Sequence, residues 1–556
     1  MNMNAPSFAG RTAWALLRSR GKGGGWAIAG IATVAGLACA AVLYGTTSGP
    51  WAFSDSAGYL ASARSLVRGE GLGYPAPSGE FIPLSLHPPL FPFLLAVLDL
   101  GGIDDIEGAR FLHAAFFGLL VGLVGIMVLR TTGSTVLGLA AAILAASSRR
   151  LVGLHTGLMS EPAFLLVSVI SLLFLVRYRR SGSSIDLALA AVSVSMAPLA
   201  KYAGIAVVVG EAVWLLLAVP GARGRRIRRA AAFLAVGLLP VVLWFAYLQI
   251  SQLGAHRLTT EAASGSTWTR TAPFRGELID QTWDLLPVGS GSAAIPNRLK
   301  VALLTGLGGA YLAFLFVGRR ALAGDHQERA VTDEVLALQG LLLLVALASA
   351  ALLLGSFLFA DPQPDLIDRT FAPYLLSLSL AALLGLWLVM ATAFGPEKSG
   401  PIAAGVVLVA AALQVGSTYS FLEGLARAGQ GYATDRWRSS ATAAAAAALP
   451  AGSVLISNEP TALLLNTDRN AFSLEDLAQD DLAPGAATAE WGRALSERFA
   501  CRSVELVLFD SPDDDSAGVP IHNSPQAGEP WDSIESYADG TIYALKPQSG
   551  CPSASP

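Results

Sequence analysis

Apolar runs of about 20 residues recur along the chain as far as residue 420, and they fix its class before any other feature is read. A bilayer core offers no water to backbone N–H and C=O groups, so such runs must be helices that close their hydrogen bonds internally. About eleven candidates stand out, at 26–47, 106–130, 133–148, 159–177, 185–200, 202–219, 230–250, 298–318, 336–360, 370–394 and 401–419. The run from Pro88 to Leu100 is too short to span upright and opens on Pro-Pro, which predicts a helix lying at the interface. Composition agrees: 14% of residues are charged, against about 25% in soluble globular chains. The expected fold is a polytopic α-helical membrane protein.

Basic residues orient such a protein, because Lys and Arg are retained on the cytoplasmic side. Arg11, Arg18, Arg20 and Lys22 precede the first run, and Arg177, Arg179 and Arg180 follow the fourth. Arg223, Arg225, Arg226, Arg228 and Arg229 separate the sixth from the seventh, and Arg319 and Arg320 follow the eighth. All fall on one side if the N-terminus is inside, with Arg149-Arg150 as the exception. The first run is too long for a usual signal core and no small-x-small site follows it, so it reads as a retained helix. Arg outnumbers Lys, and Ala and Gly are abundant, a usage associated with GC-rich bacterial genomes. The expected location is the bacterial cell (inner) membrane, with the C-terminal region outside.

Three polar pieces interrupt the apolar pattern: a first loop at 48–105, a second at 251–297 with Trp268 and Trp283, and the region after 420. The last alternates β-prone runs (Ser453 to Ser457, Val504 to Asp510, Thr541 to Leu545) with helical ones (Thr434 to Ala448, Ala487 to Ala500). That predicts a transmembrane module over 1–420 and an extracytoplasmic soluble α/β domain over 421–556. Cys501 and Cys551 both fall in that domain, where an oxidising compartment permits a disulfide; two free thiols fit the composition equally. The two loop tryptophans read as interface anchors before sugar platforms.

The first loop holds the densest chemistry. Phe53-Ser54-Asp55-Ser56-Ala57-Gly58-Tyr59 opens a helix predicted to reach Arg68, with Ser54 or Asp55 as its cap. At 100° per residue Tyr59 falls about 40° from Asp55, and Arg64 about 180° away. A glycine turn (Gly69-Glu70-Gly71) follows, then His87-Pro88-Pro89-Leu90. On pattern alone, Asp55 is as well read as a helix cap as a functional carboxylate.

These segments resemble the GT-C glycosyltransferase superfamily, in the branch of the protein O-mannosyltransferases and lipid A aminoarabinose transferases. The resemblance rests on the order Asp55-x-x-x-Tyr59-x-x-x-Ala63, glycine turn, Pro-Pro-Leu helix, then Met159-Ser160-Glu161-Pro162 and Asp368-Arg369-Thr370-Phe371-Ala372-Pro373. Gly431-Tyr432 and Ser457-Asn458-Glu459-Pro460 resemble the tails of bacterial members. The resemblance implies inverting transfer of a sugar from a polyprenyl-phosphate donor at the external face, with Asp55 as the loop carboxylate. It departs at His87, which stands where the aminoarabinose branch has Lys, and at Ser54 and Ser56, which flank Asp55 where many members carry a second acid.

Such a reaction needs a carboxylate to take the acceptor's proton and cations to hold the departing phosphate. Asp55 suits the first need; Lys201, Arg369 and His87 are candidates for the second, and Tyr59 and Glu161 complete the substrate-binding set. Each has a structural alternative. Lys201 can snorkel, Arg369 can pair with Asp365 or Asp368, His87 can cap the Pro-Pro helix, and Glu161 can face a helix dipole. No structural zinc site is expected, because no cysteine–histidine cluster exists; no cofactor is certain, and a divalent cation at Asp55 stays open as an alternative without a second clear ligand. The expected partners are a polyprenyl-phosphate sugar, membrane lipid and an acceptor that is a glycan, lipid or protein; nothing points to nucleic acid. A lipid-linked saccharide transporter or flippase would show repeat symmetry and mid-span charges, and a membrane-anchored envelope scaffold would not need the first-loop motif.

Overall fold

All eleven apolar segments are helical. The computed structural model describes residues 24–75, 81–250, 257–258, 271–285, 295–321, 326–361, 366–474, 477, 498–499, 502–510 and 531–545. Helix α1 (Gly24–Gly45) leads into the first loop, where α2 (Ser54–Val67) is followed by a short hairpin of β1 (Gly73–Pro75) and β2 (Phe81–Pro83) and by α3 (Leu90–Leu100). Then come α4 (Asp105–Thr132), α5 (Thr135–Ser147), α6 (Arg149–Thr156), α7 (Glu161–Ser181), α8 (Ser184–Ala200), α9 (Gly204–Ala218) and α10 (Arg223–Ile250). After the two-residue β3 (Arg257–Leu258), the chain continues through α11 (Ala272–Trp283), α12 (Asn297–Ala321), α13 (His326–Phe359), β4 (Ala360–Asp361), α14 (Asp368–Phe394) and α15 (Pro396–Ala428).

Among the described residues, seven helices are long and apolar enough to cross a membrane alone, or eight if α5 and α6, bent by 55°, form one span. Helices α8 and α9 are about 25 and 22 Å long at 1.5 Å per residue, short of a full crossing. They meet at Lys201, which the turn between them presents at one end of the bundle. Lipid is as apolar as the helices, so close backbone packing must hold the bundle together. Small residues permit it: a Cβ on Gly138 would lie 3.0 Å from Gly125 O, and one on Gly125 would lie 3.1 Å from Gly138 O, where α4 crosses α5.

The basic pattern finds its structural counterpart in these helices. Arg130 closes α4, and Arg179 and Arg180 close α7, at the ends remote from Asp105 and Glu161, which open the same helices. Arg150, the exception to the pattern, lies 3.1 Å from Asp284 and 3.3 Å from Asp368. Its charge is met by carboxylates, so it acts as a local ion-pair partner.

Beyond the bundle, α16 (Asp435–Arg438), α17 (Ala441–Ala448), β5 (Val454–Ser457), α18 (Pro460–Thr467), β6 (Phe472–Ser473), β7 (Val504–Phe509), β8 (Trp531–Tyr537) and β9 (Gly540–Leu545) form an α/β unit. Its sheet order is β6-β5-β7-β9-β8, with β5 parallel to β6 and β7, and β9 antiparallel to β7 and β8. Every residue of β5 and β7 is buried, as expected of strands covered on both faces. The expected helix from Thr434 to Ala448 is two helices, because Ser440 caps the second by accepting from Ala443 N. The last bundle helix runs past the expected end at 419 to Ala428, where Ser48 donates to Ala426 O at 2.8 Å. The Cys501–Cys551 pair, Trp268 and most of the Ala487–Ala500 run lie outside the described residues.

This unit is fastened to the first loop. Gly431 approaches Ala52 so closely that a Cβ would lie 2.0 Å from its carbonyl oxygen, and Tyr432 N donates to that oxygen at 2.9 Å. Arg64 points away from Asp55, as its helical angle predicts. It binds the buried Asp105 at 2.6 Å and donates to Leu465 O in α18 at 2.9 Å. Arg68 reaches Asp468 at 2.6 Å.

Candidate active site

Helix α2 does not use Asp55 or Ser54 as its cap. Its N-cap is Phe53, whose backbone N–H donates to Ser56 Oγ at 3.1 Å. Ser56 Oγ in turn donates to Leu158 O at 2.7 Å, which seats the helix against the segment before α7. The capping expectation fails because a side chain must precede the first helical residue to reach its free N–H groups. Ser54 is one place too far along and Asp55 two, and the Asp55 carboxylate turns toward the bundle.

There it forms an ion pair with Arg369, from the first turn of α14. The Arg369 guanidinium lies over the Phe53 ring, 4.7 Å from its centroid. The expected partners of Arg369 are not used in this way. Asp365 lies outside the described residues, and Asp368 goes to Arg150 and, at 2.6 Å, to Gln281. His87 does not cap α3, whose N-cap is Pro89. Its Nε2 sits 3.7 Å from Asp55 Oδ1, beyond hydrogen-bond reach, and its Nδ1 sits 3.3 Å from Tyr59 Oη. Tyr59 also lies 3.3 Å from Ser160 Oγ, with its ring against His87 and edge-on to Phe91. Glu161, buried at the start of α7, is paired with Lys201, and Lys201 Nζ also donates to Arg369 O at 3.3 Å.

The six candidate residues therefore form one continuous cluster: Tyr59, His87, Asp55, Arg369, Lys201, Glu161. They arrive from α2, the approach to α3, the start of α7, the turn after α8 and the start of α14. Burial holds the His87 imidazole below its ordinary range against the pull of Asp55 and Glu161, so it is neutral at neutral pH. Burial, then Glu161 and Asp55, push the Tyr59 phenol well above its usual value, which keeps it protonated and able to donate to His87. Two carboxylates and two fixed cations balance, beside a neutral imidazole.

Ser160 and Phe53 belong to the same cluster and Tyr202 follows Lys201 in the adjoining turn; none carried an assignment from sequence. Tyr202 donates to Ser85 O at 3.2 Å and accepts from Trp244 Nε1 at 3.1 Å, tying the turn at Lys201 to the first loop. Its position beside Lys201 between two apolar helices was the available signal. Among the described residues no three His, Cys, Asp or Glu side chains converge, and Asp55 and Glu161 each already face a protein cation.

Solved structures share this architecture. The apo crystal structure of ArnT from Cupriavidus metallidurans matches with a TM-score of 0.53 at 13% identity, over 94% of this chain and 99% of that one. The cryo-EM structure of the arabinofuranosyltransferase AftD from Mycobacteria matches with a TM-score of 0.55 at 17% identity, over 93% of this chain and 40% of that one. No protein of curated function matches in sequence. The chain shares the fold of these two structures. Residues 83–259 match the model of the dolichyl-phosphate-mannose-protein mannosyltransferase family.

Proposed function

We propose that the protein transfers a sugar from a polyprenyl-phosphate donor to an acceptor hydroxyl, with inversion, at the external face of a bacterial cell membrane. The observation that carries this reading is the Asp55–Arg369 ion pair with Lys201 beside it, at the end of the bundle opposite its arginine-rich helix termini. A donor phosphate competes with Asp55 for Arg369. Once the phosphate is bound, the guanidinium serves it and the Asp55 carboxylate is released to act as a base. The acceptor oxygen then bonds to the anomeric carbon while its proton passes to Asp55. The bond from that carbon to the phosphate oxygen breaks, and polyprenyl phosphate leaves with its charge balanced by Arg369 and Lys201. Tyr59 and His87 orient the acceptor beside Asp55. The unit after residue 420, fastened to α2, is the extracytoplasmic domain.

The test uses the full chain in lipid nanodiscs with a panel of polyprenyl-phosphate pentoses and hexoses. Release of polyprenyl phosphate from at least one is expected. Turnover of nucleotide sugars with no lipid-linked donor consumed would overturn the reading. A reporter fused after residue 425 should read as external; a cytoplasmic signal would invert the topology.

A further inference from the structure

Two segments singled out in the sequence, Gly431-Tyr432 and Ser457-Asn458-Glu459-Pro460, have no part in the transfer described above. The fold brings them together. Tyr432 Oη donates to Glu459 Oε2 at 2.8 Å, and Asn466 Nδ2 donates to Tyr432 O at 3.0 Å. The rest of the second segment fixes the buried Glu459 carboxylate. Ser457 Oγ, at the end of β5, accepts from Glu459 N at 3.0 Å. The Asn458 amide pairs with the backbone at the end of β7, donating to Phe509 O and accepting from Phe509 N, each at 3.0 Å. Pro460 opens α18, where its missing N–H leaves no helical bond unmade.

Tyr432 carries this anchorage to the first loop. Its N–H is the donor to Ala52 O, three residues before Asp55. Trp51 and Ala52 lie between two other backbones, bridged in parallel to Gly157 on one side and to Gly431 on the other. On the bundle side Trp51 N donates to Thr156 O at 3.0 Å, and Leu158 N donates to Trp51 O at 2.7 Å. On the other side the two backbones meet twice. A Cβ on Gly49 would lie 2.1 Å from Ala433 O, and one on Gly431 would lie 2.0 Å from Ala52 O. Both glycines have positive φ, +99° and +74°, a region that favours glycine. A simple tether would need neither this register nor these glycines. The same unit holds the far end of α2 through Arg64 and Arg68. Tyr59 and Leu60 of α2 share one apolar core with Ala433, Leu464 and Leu465.

We propose that Tyr432 and Glu459 are positioning residues of the transfer: through the Ala52 backbone they hold the Asp55 carboxylate where the acceptor hydroxyl must meet it. The proposal rests on the reading of Asp55 as the base. A base acts only within hydrogen-bond reach of the proton it takes, and a misplacement of about 1 Å can cost on the order of 10²-fold. Arg369 and Lys201 reach the site from the start of α14 and the α8–α9 turn, outside this anchorage. Loosening it therefore moves the base and leaves the donor's cations in place.

Polyprenyl phosphate release from the full chain in nanodiscs, measured over a donor titration, tests the assignment. Tyr432→Phe should lower kcat by about tenfold with KM for the donor unchanged. Glu459→Gln keeps an oxygen for the Tyr432 hydroxyl and should stay within about twofold of the parent; a loss as large as that of Tyr432→Phe would overturn the link between the two side chains. In the Asp55→Asn background Tyr432→Phe should add nothing, because the group it positions is gone. A further loss of about tenfold there would show action independent of Asp55 and overturn the proposal. So would a lowered thermal midpoint with kcat unchanged, the mark of a purely structural bond. Hydrogen exchange needs no turnover and separates this proposal from the transfer reading. In Tyr432→Phe the amides of residues 51–58 should exchange about tenfold faster while those of α7 keep the parent's rates. Unchanged exchange over 51–58 would overturn the anchorage even in an active enzyme. A parent that releases no polyprenyl phosphate, with faster exchange in Tyr432→Phe, would overturn the transfer reading and uphold the anchorage of Asp55.

Discussion

Replacing Asp55 by Asn separates a catalytic carboxylate from a structural one. The substitution leaves α2 intact, because the part-buried Phe53 amide at its start is satisfied by Ser56 and not by Asp55. It keeps an oxygen that can accept from Arg369, but removes the negative charge and the group that takes the proton. General base catalysis contributes on the order of 10²-fold or more, which is about 2.7 kcal/mol of barrier at 1.36 kcal/mol per tenfold. Loss of the charge also removes the competitor of the donor phosphate for Arg369. The variant should therefore lose kcat by about 10²-fold while KM for the donor stays level or falls. The assay is release of polyprenyl phosphate in nanodiscs over a donor titration, with thermal unfolding as a check on the fold. A raised KM with unchanged kcat would assign Asp55 to substrate binding alone, and full activity would refute the mechanism.

Three further outcomes follow from the geometry. Tyr59→Phe removes a hydroxyl that faces His87 and Ser160 and should cost about fivefold in kcat, near the worth of one neutral hydrogen bond; the same polyprenyl phosphate release assay measures it. Because burial depresses the His87 value in the fold, the unfolded chain binds more protons as pH falls below about 6.5, so the stabilisation present above that pH is lost as pH drops toward the folded value. Thermal midpoints at pH 7.5 and 5.5 should therefore differ less in His87→Gln than in the parent. Arg64→Ala leaves the buried Asp105 without its cation and unfastens α2 from Leu465. It should cost roughly 3 kcal/mol of stability, as breaking a buried pair does, with a smaller loss of kcat than Asp55→Asn; denaturation and turnover measured on one preparation check both.

The sequence alone determined where the helices are, because the requirement for an internally bonded apolar backbone leaves a spanning segment no other form. All eleven apolar runs became helices, and the alternation of basic residues pointed to the end of the bundle where Arg130 and Arg180 now lie. Helical periodicity was enough to put Tyr59 beside the Asp55 region and Arg64 opposite it, since both relations lie within one helix. The β5, β7 and β9 strands were legible from their β-prone runs. Strands β6 and β8 were not: β6 is only two residues long and β8 is an edge strand, so neither carries a continuous apolar run.

What periodicity cannot supply is the partner of a charge. Asp55 and Arg369 are 314 positions apart, and each had a plausible neighbour in its own loop: a helix end for one, Asp368 for the other. Only the packing of α14 against the first loop decided that they pair, and only the short α8–α9 turn decided that Lys201 faces Glu161 instead of lipid headgroups. The same holds for Arg64, whose outward direction the sequence could state but whose role in fastening the C-terminal unit it could not. Burying a charge is costly unless an opposite charge meets it, so tertiary structure, which brings distant charges within a few ångströms, determined which of the candidate residues act together.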